Sequence, residues 1–254
     1  MYSLAGKKAL IVGIANENSI AYGCARAFRE MGADLAVTYL NEKAKRFVAP
    51  VAEELDAEIL MPLDVTDDLQ MATVFREIGD RWGQLDICLH SIAFCPKEDL
   101  HGRVVDCSRA GFLAAMDISV HSFLRMAKLA EPMMPEGGTC MTVSYYGAEK
   151  VVDNYGVMGP VKAALESATR YLAAELGRKG ISVHALSPGP MPTRAASGIA
   201  DFQTMMDRAE HEAPTGKLAS LMDVGAYAAF LASTEAANVT GGVHYIDGGV
   251  HVRG

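Results

Sequence analysis

The stretch Lys8-Ala9-Leu10-Ile11-Val12-Gly13-Ile14-Ala15-Asn16-Glu17-Asn18-Ser19-Ile20-Ala21-Tyr22-Gly23 decides the fold. Its first five residues form a short apolar run that reads as a buried strand, and a glycine follows at once. From Ile20 the apolar residues recur at helical spacing to residue 31, and Gly32 closes the pattern as a helix-ending residue. A glycine directly after a strand lets backbone approach a pyrophosphate, toward which the next helix turns its amides and positive dipole. Ser19 is placed either to cap that helix or to donate to a phosphate oxygen. The loop is not G-x-G-x-x-G, and taken alone it reads equally as a helix-capping turn.

Outward from this unit the pattern repeats. Strands are expected at 34–39, 58–63, 85–91, 139–143, 182–186 and 242–246, and helices at 43–55, 68–82, 108–130, 158–177 and 222–233. Strands alternating with helices of ten or more residues imply right-handed βαβ crossovers and a parallel sheet. The expected fold is α/β: a single-domain, doubly wound, Rossmann-like parallel sheet over 1–254, with helices on both faces. No linker, repeat or change of composition divides the chain. Such a sheet binds ligands beyond the carboxyl ends of its strands, so the loops after each strand hold the chemistry.

Composition excludes several classes of partner. The 23 Lys and Arg against 31 Asp and Glu give a net charge of −8, which suits neither nucleic acid nor an anionic membrane. No apolar run reaches the ~20 residues of a membrane span. The beginning of the chain lacks the basic and apolar regions of a signal peptide, so a cytoplasmic protein is expected. Five scattered cysteines without a C-x-x-C pair argue for reduced thiols and against a disulfide framework or zinc site. No His/Cys/Asp cluster has metal-ligand spacing, so no metal is expected.

After the third strand comes Asp64-Val65, where Asp64 either accepts from an adenine amine or caps the helix near Asp67. The loop after strand four, His90-Ser91-Ile92-Ala93-Phe94, carries small residues that let a ring stack against backbone. The strongest local signal is Ser144-Tyr145-Tyr146-Gly147 followed by Asn154-Tyr155-Gly156-Val157-Met158-Gly159-Pro160-Val161-Lys162. A lysine seven residues after a tyrosine, read as two helical turns, brings ammonium and phenol to one face. A nearby ammonium lowers a phenol's pKa and helps it donate a proton. Last comes Ser187-Pro188-Gly189-Pro190-Met191-Pro192-Thr193, a rigid turn in which Thr193 binds a phosphate or caps the next segment. Residues from about 191 to 210, with Met205 and Met206, suit a mobile helical lid over an apolar chain, or ordinary core packing.

These residues resemble the short-chain dehydrogenase/reductase superfamily, and within it the divergent branch of bacterial enoyl-acyl-carrier-protein reductases. The resemblance rests on G-x5-S-I-A-x-G in the first loop, His90-Ser91-Ile92-Ala93, the spacing Tyr145-x9-Tyr155-x6-Lys162, Ala195-Ala196-Ser197-Gly198-Ile199, and the ending Val243-His244-Tyr245-Ile246-Asp247-Gly248-Gly249. It covers essentially the whole chain. It implies an NAD-dependent enzyme reducing the trans-2 double bond of an enoyl thioester carried on acyl carrier protein.

Carried onto this sequence, Gly13, Ser19 and Ile20 would hold the pyrophosphate and adjacent ribose, and Asp64 and Val65 the adenine. Leu40 stands at the adenosine where the family commonly has Gln, and Ile92 would contact the nicotinamide ribose. Met191, Pro192, Thr193, Arg194 and Ala195 would line the nicotinamide and phosphates. Cys95 would touch substrate, Tyr155 the thioester carbonyl and Lys162 the ribose hydroxyls, while Tyr145 would sit over the active site. Tyr39-Leu40-Asn41 offers no cation for a 2′-phosphate, so NADH is favoured over NADPH. The superfamily also implies a homotetramer built through helices 108–130 and 158–177.

Two departures keep rivals in play. The portal stretch 200–206 has no Lys or Arg, and Pro214-Thr215-Gly216-Lys217-Leu218 has one cation where a basic pair is usual. That leaves room for a thioester carrier other than acyl carrier protein. A reductase of ketones or hydroxyls would place a Ser about 13 residues before the catalytic Tyr, and position 142 is Thr. A non-catalytic dinucleotide sensor should have lost Tyr155 or Lys162, and both are present.

Overall fold

The structure, a computed structural model, describes residues 2–194, 196 and 201–253. Its strands are β1 (Lys8–Val12), β2 (Asp34–Tyr39), β3 (Ile59–Pro62), β4 (Ile87–His90), β5 (Gly138–Val143), β6 (Ile181–Pro188) and β7 (Val243–Ile246). Its helices are α1 (Ile20–Glu30), α2 (Glu42–Glu54), α3 (Asp68–Trp82), α4 (Lys97–Leu100), α5 (Arg109–Met116), α6 (Ser122–Ala130), α7 (Met158–Leu176), α8 (Phe202–Glu212) and α9 (Leu221–Leu231).

The strands form one parallel sheet in the order β3-β2-β1-β4-β5-β6-β7. In β1 the alternation of the pleat sends Ala9 and Ile11 into one core and Leu10 and Val12 into the other. A strand buried on both faces must be apolar throughout, which is why this run shows no polar alternation. One core packs α1, α2 and α9 against the sheet, and the other packs α3, α6 and α7. α1 and α9 cross backbone to backbone: a Cβ on Gly225 would run into the Gly23 carbonyl oxygen. The chain leaves β1 toward β2 on one side and later returns to β4 on the other. The carboxyl ends of β1 and β4 are therefore the switch point where a cleft opens.

Two expectations are corrected here. The helix expected over 108–130 is α5 and α6 joined by a π turn at Asp117–His121. Ser119, Val120 and Ser122 at this turn are all buried. Tyr155 does not lie on a helix with Lys162; α7 starts three residues later, at Met158, with Pro160 in its first turn.

Candidate active site

A cavity of about 350 Å³ opens beyond the carboxyl ends of β4, β5 and β6. Its lining is mainly apolar, and its charged lining residues are Lys97 and Lys162. Tyr155 and Tyr145 meet in its wall with ring centroids 4.8 Å apart. Ile92, Cys95, Met191 and Thr193 also line it, together with Ile20 from the first turn of α1.

Burial sets the chemistry of these groups. Tyr155 is 8% exposed, and desolvation with the neighbouring Tyr145 and Glu166 holds its phenol well above the ordinary tyrosine range. The expectation that Lys162 lowers this pKa is therefore overturned: desolvation outweighs any help from the ammonium. Tyr155 is thus a neutral hydrogen-bond donor. Tyr145 is pushed up to about 12 by burial and by the charge of Asp247, and its hydroxyl donates to Met205 Sδ at 3.4 Å. Lys162, almost fully buried, is drawn down to about 8 by desolvation, and its Nζ donates to the Val143 carbonyl at 2.6 Å. Burial and the nearby Asp99 and Cys107 push Cys95 to about 11, so it stays a thiol rather than a nucleophile.

The first loop shows how backbone is kept open. Gly13 has φ +118°, and a Cβ there would collide with the Ser91 carbonyl oxygen. Ser19 occupies the N-cap position of α1, yet its hydroxyl accepts from Ala15 N (2.9 Å) and Asn16 N (3.2 Å) instead of capping. The side chain ties the loop to itself, and the first turn of α1 has no side-chain cap. Such a terminus offers unpaired amides to an anion.

Asp64, Val65 and Leu40 do not line the cavity. Asp64 closes a local turn, accepting from Thr66 N (2.9 Å) and Thr66 Oγ1 (2.7 Å). The cap of α3 is Asp67, which accepts from Leu69 N and Gln70 N. Val65 is buried in the core beside α3, and Leu40 is 55% exposed at the end of β2. Thr193 lines the cavity, and its Oγ1 accepts from Ala196 N at 3.2 Å. Pro192 and Arg194 are exposed, and Ala195 lies outside the described residues, as does 197–200 of the expected lid. Met205, on α8, lines the cavity.

Thr142 is not available to imitate a catalytic serine. It is fully buried and hydrogen-bonded to His90 Nδ1 (3.0 Å), while His90 Nε2 meets Ser122 Oγ (2.7 Å). Burial and the charge of Lys162 bring His90 down to about 3, so the ring is neutral. Ser119, on the π turn, accepts from Phe94 N (3.0 Å) and donates to Phe94 O (3.3 Å), which fixes the loop after β4. Sequence reasoning did not find Lys97, Ser119 or Glu166. Only Glu166 left a signal, four residues after Lys162 on the buried face of α7.

The family model for enoyl-(acyl carrier protein) reductase matches residues 13–251. The chain is 45% identical to enoyl-[acyl-carrier-protein] reductase [NADH] 1 of Rhizobium meliloti, over 98% of this chain and 92% of that one. It is similar to the enoyl-(acyl-carrier-protein) reductase of Anaplasma phagocytophilum solved with NAD, at a TM-score of 0.96 and 44% identity over 100% of this chain and 97% of that one. It is similar too to the Bacillus cereus enoyl-acyl carrier protein reductase solved with NADP+ and indole naphthyridinone, at a TM-score of 0.97 and 41% identity over 100% of both chains. With the sheet order, the tyrosine pair and the buried lysine, these likenesses lead to one conclusion: the chain belongs to the enoyl-(acyl carrier protein) reductase family.

Proposed function

We propose that the protein reduces the trans-2 double bond of an enoyl thioester with NADH, the acyl chain arriving on acyl carrier protein. The observation that carries this reading is the apolar cavity whose wall holds a buried, protonated Tyr155 phenol, with Tyr145 against it and Lys162 among its lining. The residues fit a dinucleotide. Gly13 leaves room for close backbone approach, α1 presents an uncapped first turn, and Ile20 links that turn to the cavity. Gly13, Ser19 and Ile20 would hold the pyrophosphate end, with Asp64, Val65 and Leu40 at the adenosine. Ile92 and residues 191–195 would flank the nicotinamide, and Lys162 would donate to the ribose hydroxyls.

When bound, NADH would supply a hydride to the β-carbon of the enoyl chain, and a proton from solvent reaching the α-carbon of the resulting enolate would complete the saturated thioester. As negative charge develops on the thioester oxygen, Tyr155 donates a hydrogen bond to it; a preorganised donor of this kind is worth about 3 kcal/mol. Its raised pKa suits it to that role, because it remains protonated throughout the physiological range. The apolar walls exclude water and strengthen the bond. Tyr145 and Cys95 bound the space for the acyl chain. Leu40 and Asn41 offer no cation to a 2′-phosphate, which favours NADH over NADPH.

The ketone or hydroxyl reductase reading is disfavoured because Thr142 is bound to His90 away from the cavity. No helix among the described residues is long and apolar enough to cross a membrane, and we place the enzyme in the cytoplasm. Exposed Phe112 and Leu113 on α5 and Tyr171 on α7 support pairing of these helices between copies in a homotetramer. NADH oxidation should be measured with a short trans-2-enoyl thioester on CoA and on acyl carrier protein, with a 3-ketoacyl thioester and NADPH as controls. Turnover of the enoyl substrates with NADH alone is expected, and preferential turnover of the ketoacyl thioester would overturn the reading.

A further inference from the structure

α7 sends two charged side chains back to the end of β5. Lys162 and Glu166 are one turn apart on the same helix face, and both are more than nine-tenths buried. Lys162 Nζ donates to the carbonyl of Val143 (2.6 Å), and Glu166 Oε1 accepts from the hydroxyl of the next residue, Ser144 (2.6 Å). Tyr145 follows directly. The proposed reaction uses Lys162 and Tyr145 but gives Glu166 no task, and an uncompensated buried carboxylate is costly.

We propose that Glu166 is a positioning residue whose carboxylate is the buried counter-charge of Lys162 and, through Ser144, the anchor of the segment that carries Tyr145. The inference rests on the reading of Lys162 as a donor to NADH. The groups acting on Glu166 come from several elements. Burial is the largest influence and holds its pKa above the ordinary carboxylate range, with Glu149 adding to the rise, while the Ser144 hydroxyl and Arg170 and Lys162 on α7 pull it back toward the anion. On β7, Tyr245 donates to Glu149 Oε2 at 2.6 Å and, like Tyr155, is held above its ordinary pKa partly by Glu166. Burial draws Lys162 down and Glu166 draws it back up, so removing the carboxylate should let the ammonium lose its proton at lower pH.

NADH dissociation constants should be measured by fluorescence from pH 6 to 9 for the wild type, Glu166→Gln, Glu166→Asp and Ser144→Ala, with thermal melts as the folding check. Gln retains an acceptor for Ser144 but no charge. Wild-type affinity should weaken as pH rises through the Lys162 pKa of about 8. In Glu166→Gln that midpoint should fall by about one pH unit, with NADH binding about fivefold weaker at pH 8 and near wild type at pH 6. Asp retains the charge and should restore most of the wild-type profile. Ser144→Ala should leave the midpoint in place while raising KM for the enoyl thioester. A Glu166→Gln profile that superimposes on wild type, or that is displaced equally at every pH, overturns the proposal. Should Glu166→Gln fail to fold, Ser144→Ala still decides: a lowered midpoint there would assign the effect to the hydroxyl rather than the charge. A wild type that binds no NADH at any pH would overturn the functional reading itself.

Discussion

The two ends of the cleft are built on different principles. Around the ends of β1 and β3 the structure holds backbone: Gly13 clears the Ser91 carbonyl, Ser19 bonds to its own loop and Asp64 closes a turn with Thr66. Around the ends of β4, β5 and β6 it holds side chains in a mainly apolar cavity, where burial moves Tyr155, Tyr145 and Lys162 away from their ordinary pKa values. The first arrangement suits recognition of a ligand the same at every turnover, through amides that cannot vary. The second suits chemistry, since a low dielectric magnifies each placed donor. A substitution at the first end should act through stability and cofactor affinity, and one at the second through turnover.

Tyr155→Phe is the sharpest test of that division and should have the largest effect. Loss of a donor worth about 3 kcal/mol predicts a fall in kcat of about two orders of magnitude, with NADH affinity within about twofold of wild type. Steady-state kinetics and NADH titration check it, and an equal loss in both would erase the distinction between the ends.

Gly13→Ala comes next. Its added methyl group has no space beside the Ser91 carbonyl oxygen and its φ of +118° is strained for alanine. A destabilisation of about 2–3 kcal/mol is expected, read as a lowered Tm together with weaker NADH binding. A well-folded variant with unchanged affinity would show that close backbone approach is not what the first loop provides.

Lys162→Ala belongs to both ends, because the side chain lies in the cavity yet serves the cofactor. NADH binding should weaken about tenfold, the cost of one charge-assisted hydrogen bond. The same group makes wild-type affinity pH-dependent. The charged form is the binding form, so affinity is full below about pH 8 and declines above it, and this decline should vanish in Lys162→Ala. Titrations from pH 6 to 9 decide.

The smallest effect belongs to Tyr145→Phe. Among the described residues its hydroxyl donates to Met205 Sδ, a weak acceptor at 3.4 Å, while its ring packs on Tyr155. Activity within about threefold of wild type is expected, with about 1 kcal/mol at most from the lost contact. A loss as large as that of Tyr155→Phe would make the hydroxyl a donor to substrate.

Particular residues show where sequence reasoning reached and where it stopped. The strand at 8–12 followed by glycine and a helix was legible because a strand covered on both faces must be apolar throughout and period 3.6 is unmistakable over eleven residues. The succession of such units implied the parallel sheet, and the Tyr-x6-Lys spacing marked the residues now found lining one cavity. The helical placement of Tyr155 was wrong because Gly156 adopts a positive φ and delays the start of α7, a local choice that spacing does not reveal. The local hydrogen bonds of Ser19, Asp64 and Thr193 were not legible in the sequence, since each has several backbone amides within reach and only the folded loop selects among them. The pKa of Tyr155 could not be read from the chain at all. Sequence shows that an ammonium and a phenol are close, but desolvation depends on how much protein surrounds them. That is a property of packing: the loop after β4 and residues from β5, β6, α7 and α8 line one cavity with Tyr155, and only the folded chain brings them there.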